Sequence, residues 1–311
     1  MKKNKLIKII ALGVLFFLVL IYKTFPYDLI KDNINKGINK AIQKEHIPLI
    51  VNIGSLKPYW ITGIELNNIE IKNALDNASP LLLDEVIIKF SLLPLLIGHV
   101  STDIIIYQVG GTAYTSASVS LIDAFSGILT LKSIDIFLTR FPLGEIFSQF
   151  LGVIRSSNKA EYAVLTPVIS KTTLGGNLNG KIKYREKYGK INLTLEKAFL
   201  NISNETLNIP KQDFSKAAFN LKWDGKRYAI DNNTELQAQN VSIKAGGFWE
   251  TSKNPSDPTH INLEFKINMS GVIEKDFGFL IPQFLNCSPT SLINGKMNIS
   301  LVGDAHNFAC H

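Results

Sequence analysis

From about Pro48 onward, apolar and polar residues alternate with a period of two along most of this chain. The stretches "IELNNIEI", "LLLDEVIIKFSLL", "GTAYTSASVS", "LTLKSIDIFL", "GKINLTLEKAFLNI", "NVSIKAGGFWE", "HINLEFKINMSG" and "GKMNISLVG" each send alternate side chains to opposite faces. That is the pattern of half-buried strands. Turn chemistry separates them. "WDGKRY" sets Asp224-Gly225 between two alternating arms, the preference of a tight hairpin, and "EKYGK" offers Gly189 for another. Short connectors make neighbouring strands antiparallel, so residues 47–311 read as one mainly β domain.

Upstream the period changes to about four. "FPYDLIKDNINKGINKAIQKE" spaces Ile30, Ile34, Ile38 and Ile42 on one stripe, with Lys31, Lys36, Lys40 and Lys44 off it. Residues 25–46 are thus an amphipathic helix, with Pro26 near its start, and its apolar face suits either a sheet to cap or a membrane surface to lie on. Capping is the plainer expectation.

Before the helix there is no period at all. Lys2, Lys3, Lys5 and Lys8 precede an uncharged run from Ile9 to Tyr22. As helix, Leu6 to Tyr22 is about 26 Å long, enough to span a bilayer with lysines snorkelling at both ends. A signal peptide shares the basic start and apolar middle, but no small-x-small cleavage pattern follows Leu20. Residues 1–24 therefore read as a cytoplasmic tail and membrane anchor carried by Leu6, Ile9, Phe16, Phe17 and Tyr22, with everything after Lys23 exported.

Two segments interrupt the strand pattern, Phe90 to Val100 and Phe141 to Ser157, with Ile146, Phe147, Phe150, Leu151 and Ile154 in the second at near-helical spacing. They are expected to be short helices or apolar loops that plug an edge or opening of the sheet. A third interruption is the aromatic knot in "IGSLKPYWITGIELNNIEI". Ile47 to Leu56 and Ile64 to Ile71 read as the first two strands and "KPYWITG" as their connection. Pro58 ends the pairing, Gly63 lets the chain re-enter the sheet, and Tyr59 and Trp60 serve as a buried plug. Asn67-Asn68 shifts the alternation, so a β-bulge is expected there.

Composition narrows the chemistry. The 311 residues are 46% hydrophobic, which supports a real core, and only 19% charged with a formal net charge of +7. Part of that excess is the N-terminal lysines, and other lysines alternate with apolar residues, as Lys181 and Lys183 do around Ile182, so they read as solvated strand faces rather than a nucleic-acid stripe. The five histidines are scattered, and "HNFACH" at the end is the only His/Cys cluster. There is no Gly-x-Ser-x-Gly elbow, and the glycine pairs of "QVGGTAY" and "LGGNLNG" lack phosphate-loop spacing. No enzyme, metal or cofactor is expected. Cys287 and Cys310 are the only cysteines, and export permits a disulfide between them without requiring one.

The order of features resembles the secretion protein N family of bacterial type II secretion systems, in its longer AsmA-like form. The residues that carry the likeness are Phe25-Pro26-Tyr27 after the anchor, Ile53-Gly54-Ser55-Leu56, Pro58-Tyr59-Trp60, Gly63-Ile64-Glu65-Leu66 and Ile69-Glu70-Ile71. Later, "LGGNLNGKIKYREKYGKINLTLEKAFLNI" is similar to that family's Gly-rich hairpin and long strand. The likeness covers the N-terminal third in residues and the remainder in pattern. It implies a curved antiparallel sheet or half-barrel with a few short helices, held in the periplasm by one span of the inner membrane. There it would be a non-enzymatic component of type II secretion, in contact with other secretion components. AsmA-like relatives are also similar to β-groove proteins that carry lipid between membranes, so a lipid-binding module with an apolar groove is the alternative. Strands such as "INLEFKINM", with Ile261, Leu263, Phe265, Ile267 and Met269 on one face, fit a closed core or a groove, the core being the plainer expectation because every half-buried sheet alternates in this way.

Overall fold

The computed structural model describes residues 27–44, 47–60, 62–75, 80–91, 94, 98–120, 131–156, 172–186, 188–203, 208–251, 258–278, 293–304 and 307–310. The anchor expected over residues 1–24, with Leu6, Ile9, Phe16, Phe17 and Tyr22, lies outside them, as does Cys287. Among the described residues no helix is long and apolar enough to cross a membrane.

The alternating segments form fourteen strands: β1 (Leu49–Tyr59), β2 (Gly63–Asn73), β3 (Leu81–Ser91), β4 (His99–Gln108), β5 (Gly111–Ser120), β6 (Leu131–Pro142), β7 (Thr172–Arg185), β8 (Tyr188–Ser203), β9 (Asn208–Asp224), β10 (Arg227–Ala238), β11 (Val241–Thr251), β12 (Pro258–Met269), β13 (Lys296–Asp304) and β14 (Asn307–Cys310). They pair in chain order into a single antiparallel sheet, curved and unclosed. Strands consecutive in the chain are therefore neighbours in the sheet, whether a tight turn or a longer connection joins them. Asp224-Gly225 does make the β9/β10 hairpin, with Gly225 at φ 60. Gly189 does not make the β7/β8 turn. It lies inside β8, where the indole of Trp223 occupies the space a Cβ would need.

Among the described residues three helices accompany the sheet: α1 (Tyr27–Lys44), α2 (Leu143–Ser156) and α3 (Gly271–Phe277). The amphipathic stripe of α1 caps the sheet, as its spacing suggests. Tyr27, Ile30, Ile34, Ile38 and Ile42 pack on a core of Val51, Ile53, Leu56, Leu66, Ile69 and Val86. The segment with Ile146, Phe147 and Leu151 is the helix α2, which packs on β7 and also reaches β2 and β3. One helix can touch strands so far apart in sheet order only because the sheet curls. Register shifts along β5 to β12, one of them at Arg140 with φ 47, supply that curvature by inserting extra residues on one strand of a pair. Of Phe90 to Val100, Phe90 and Ser91 end β3 and His99 and Val100 open β4, with most of the rest outside the described residues.

At the far end of the sheet, α3 seats Ile273 on Ile267, Met269, Met297 and Ile299. Met297 and Ile299 are 1% and 2% exposed. Met297→Ala should cost about 2–5 kcal/mol, since it leaves a cavity in packed surroundings. Thermal melting of the variant, lower by several degrees, is the check.

The aromatic knot differs from the sequence expectation. β1 continues through Pro58, paired with Ile64, and Tyr59, paired with Gly63, so the connection shrinks to residues 60–62. Proline is tolerated here because β1 is an edge strand. Trp60 is not a plug. It stands in the turn at φ 52 and is 79% exposed, while Tyr59 is half-buried with Lys89 Nζ 4.7 Å above its ring. Gly63 is needed for close approach, since a Cβ would lie 2.8 Å from the carbonyl oxygens of Ile88 and Tyr59. Trp60→Ala should therefore leave the melting temperature within about 2 °C of the parent, because exposed substitutions usually stay within about 0.5 kcal/mol.

The β-bulge expected at Asn67-Asn68 does not form, since β2 keeps one register with both β1 and β3, although the alternation shifts there. Asn68 sits at φ 53 against Gly54, and Leu66 and Ile69, three apart, both reach the core. The partner strand shifts in step, Ile53 and Leu56 being buried together, so pairing continues in constant register from Leu49↔Asn73 to Tyr59↔Gly63.

Candidate functional site

A directly opposed pair in an antiparallel ladder lies on one face, so the register traces that face across the sheet. One row runs Leu56, Leu66, Val86, Ile106, Ala113, Leu138, Gly180, Leu193, Phe219 from β1 to β9. A second continues Ala217, Leu236, Ile243, Ile267, Met297 from β9 to β13. Neither row contains a polar side chain. With strands about 4.8 Å apart the apolar face is about 60 Å wide.

The opposite face is mixed, with Ile87, Ile105, Tyr114 and Phe137 in line from β3 to β6 and a polar row beside them. Its row Asp103, Ser116, Asp135, Lys183, Lys190, Lys222 is polar throughout. Arg185 Nη2 donates to Asp135 Oδ2 at 2.7 Å, and Glu235 lies between Lys216 at 2.6 Å and Lys244 at 3.3 Å. The hydrogen bond from Lys216, with Lys244 beside it, holds the Glu235 carboxyl below its ordinary value. Stability from this trio is thus present above the usual carboxylate range and is lost as pH falls through the lowered value.

Coverage of the apolar face is uneven. It is buried under α1 and α3, but Phe219 remains 39% exposed, and most inward residues of β4 to β12 are only half-buried. Around Phe219 a cleft of about 270 Å³ is lined by Leu178, Leu193, Leu195, Ala217, Leu236 and Ile243. That is slightly smaller than the ~300–1,000 Å³ of compact ligand pockets, and it lies open along a longer apolar surface. Exposed apolar patches beyond a few hundred Å² mark interaction surfaces.

The two helical connections α2 and α3 both leave the sheet at one end, where β6 and β12 finish. The opposite end holds the β1/β2, β7/β8 and β9/β10 turns. There the inward residues are aromatic: Tyr184, Trp223, Tyr228 and Trp249 form a cross-strand ladder with ring centroids 6.0, 6.3 and 5.1 Å apart, the last pair stacked at 6°. The face is thus a trough with helices at its base, an aromatic sill at its mouth and α1 filling one side.

Pro58, Tyr59, Trp60 and Gly63 lie at the mouth end, at the β1/β2 corner and away from the cleft. Cys310 ends β14, with its side chain outside the described residues. Among the described residues no three His, Cys, Asp or Glu side chains group as metal ligands, and His306 and His311 of "HNFACH" fall outside. Sequence reasoning had one face of β12 in hand. The aromatic ladder went unseen because its four rings come from four strands, aligned only by register. Comparison with protein-family models, with curated proteins and with solved structures finds no match.

Proposed function

We propose that this chain is a lipid-binding module, and that acyl chains lie along the trough on the apolar face of the sheet. The observation that carries the reading is the pair of apolar rows that together run from β1 to β13, with Phe219 39% exposed where they meet on β9. A closed core would cover those rows with a second layer. Here, among the described residues, the covering elements are three helices at the side and base. An acyl chain supplies the missing layer, each buried methylene contributing about 0.8 kcal/mol. The binding needs no catalytic group and no metal. The alternation that suits a groove, the expected single span and the resemblance to AsmA-like proteins all agree with a role at the inner membrane, holding or passing lipid. Mass spectrometry of the full chain purified in mild detergent tests this: near-stoichiometric phospholipid is expected, and protein free of lipid would overturn it.

A second reading, a non-enzymatic component of type II secretion, has its own observation. Among the described residues nothing pairs with the outer edge of β14, and an open edge can accept a partner strand. Recovery of secretion components with the tagged protein from membranes is the result that reading requires.

A further inference from the structure

Besides the trough, the sheet has an end whose chemistry is its own among the described residues. All three tryptophans of the chain stand there: Trp60 in the β1/β2 turn, Trp223 next to the β9/β10 turn, and Trp249 near the end of β11. Two of them face the trough as part of the aromatic sill, and the third projects from the rim. Tyr188, at the β7/β8 turn, is 59% exposed beside them.

The outer side of the same end is basic. Lys183, Lys190 and Lys222 stand directly opposite one another on β7, β8 and β9. Like charges so placed repel, a cost to the fold that the local carboxylates offset only in part. Asp231 reaches Lys222 at 3.5 Å, while Asp135, opposite Lys183, is engaged by Arg185. The turn adds Lys226 and Arg227 against Asp224 and against Glu250, which stands opposite Arg227. A broad depression of about 650 Å³ lies among the lysines, lined also by Tyr188 and Trp223.

The path of the chain brings a third observation to this rim. α1 runs antiparallel to β1, since Asn39 bonds Val51 and the chain turns into β1 just after Lys44. Tyr27, twelve residues before Asn39, is about 18 Å further along the helix, or roughly five strand residues, level with Leu56 near the aromatic end. Whatever precedes Tyr27 therefore joins the described structure toward this rim.

We propose that the aromatic and basic rim docks on an anionic bilayer surface, indole and phenol rings at headgroup depth and the lysine row on lipid phosphates, so that the mouth of the trough opens onto the membrane. Tryptophan and tyrosine favour the interface because each has an apolar body and a polar tip. Lysine and arginine near an anionic leaflet add roughly five-fold each in partitioning. The proposal deepens the lipid-binding reading by giving the trough its source of lipid.

The tryptophans make the test direct. The full chain is reconstituted into vesicles of phosphatidylcholine mixed with phosphatidylglycerol, both with brominated acyl chains, which quench indoles that reach the bilayer. The protein also carries Trp60→Phe, leaving Trp223 and Trp249 far from the point of chain entry, and Phe219→Glu, which blocks lipid in the trough. Docking predicts strong quenching in the mixed vesicles and several-fold less in phosphatidylcholine alone. Lys183→Glu, Lys190→Glu and Lys226→Glu together should remove it, with melting unchanged. Absence of quenching in the mixed vesicles overturns the proposal and assigns the rim to a partner other than lipid. Quenching that appears only when Phe219 is intact overturns it too, since lipid then enters the trough while the rim stays off the surface. Failure of the trough itself would show separately, as lipid-free protein whose rim indoles are still quenched.

Discussion

Phe219→Glu should strip lipid from the purified protein by at least about ten-fold while leaving it folded, a change of about 1.4 kcal/mol or more in binding. Phe219 lines the central cleft opposite Leu193 and is already 39% exposed. Losing its ring forfeits only part of the ~1.5–3 kcal/mol that full burial of phenylalanine is worth, and a carboxylate at so exposed a position can reach water. With an acyl chain in place the same carboxylate is desolvated, at a cost of several kcal/mol. The substitution thus separates binding from folding. Phe219→Leu should retain lipid, and so should Lys266→Glu on the outer face, where Lys266 pairs with Lys244. Lipid per protein by mass spectrometry, beside a melting curve for each variant, reads the result. Lipid retained in Phe219→Glu would place the ligand elsewhere.

The second large effect is expected at Asn39, at the seam between helix and sheet. β1 is an edge strand, and an exposed edge invites pairing with another chain. Here the helix answers it. Asn39 Nδ2 donates to the carbonyl of Val51 at 2.7 Å, and the Val51 N–H donates to Asn39 Oδ1 at 2.8 Å. One side-chain amide thereby occupies the place of a neighbouring strand, between Ile38 and Ile42 of the apolar stripe. Asn39→Leu keeps the bulk and the helix but leaves both backbone groups of Val51 without a partner. Each such loss costs about 1–3 kcal/mol in a buried setting, so a drop of several degrees in melting temperature is expected. Asn39→Gln, with the same amide on a longer stem, should recover part of it. An unchanged melting temperature for Asn39→Leu would mean that water replaces the amide freely and that α1 holds to the sheet by its isoleucines alone.

The parts legible in the sequence were those set by local pattern. Period two placed the strands, period four placed α1 and its stripe, and Asp224-Gly225 placed a hairpin, because each depends on residues a few positions apart. The shift of alternation at Asn67-Asn68 was visible for the same reason, but not that β1 shifts with it and makes a bulge unnecessary. What depended on distant strands was not. Trp60 looked like core because a tryptophan in an apolar stretch usually is. Its exposure follows from β1 running on through Pro58, which only the edge position permits. Gly189 looked like a turn, but its role is set by Trp223, some thirty residues away. Periodicity could also not distinguish a closed core from a trough, since both alternate alike. The difference lies in what covers the inward face, which among the described residues is a matter of where α1, α2 and α3 pack.

The most direct test of the central claim is photo-crosslinking in the membrane with benzoylphenylalanine placed at Leu236, on the apolar row, and at Lys266, on the outer face. If the trough holds acyl chains, irradiation gives phospholipid adducts at position 236 and none at 266. Adducts at both positions alike, or protein adducts alone at 236, would contradict it.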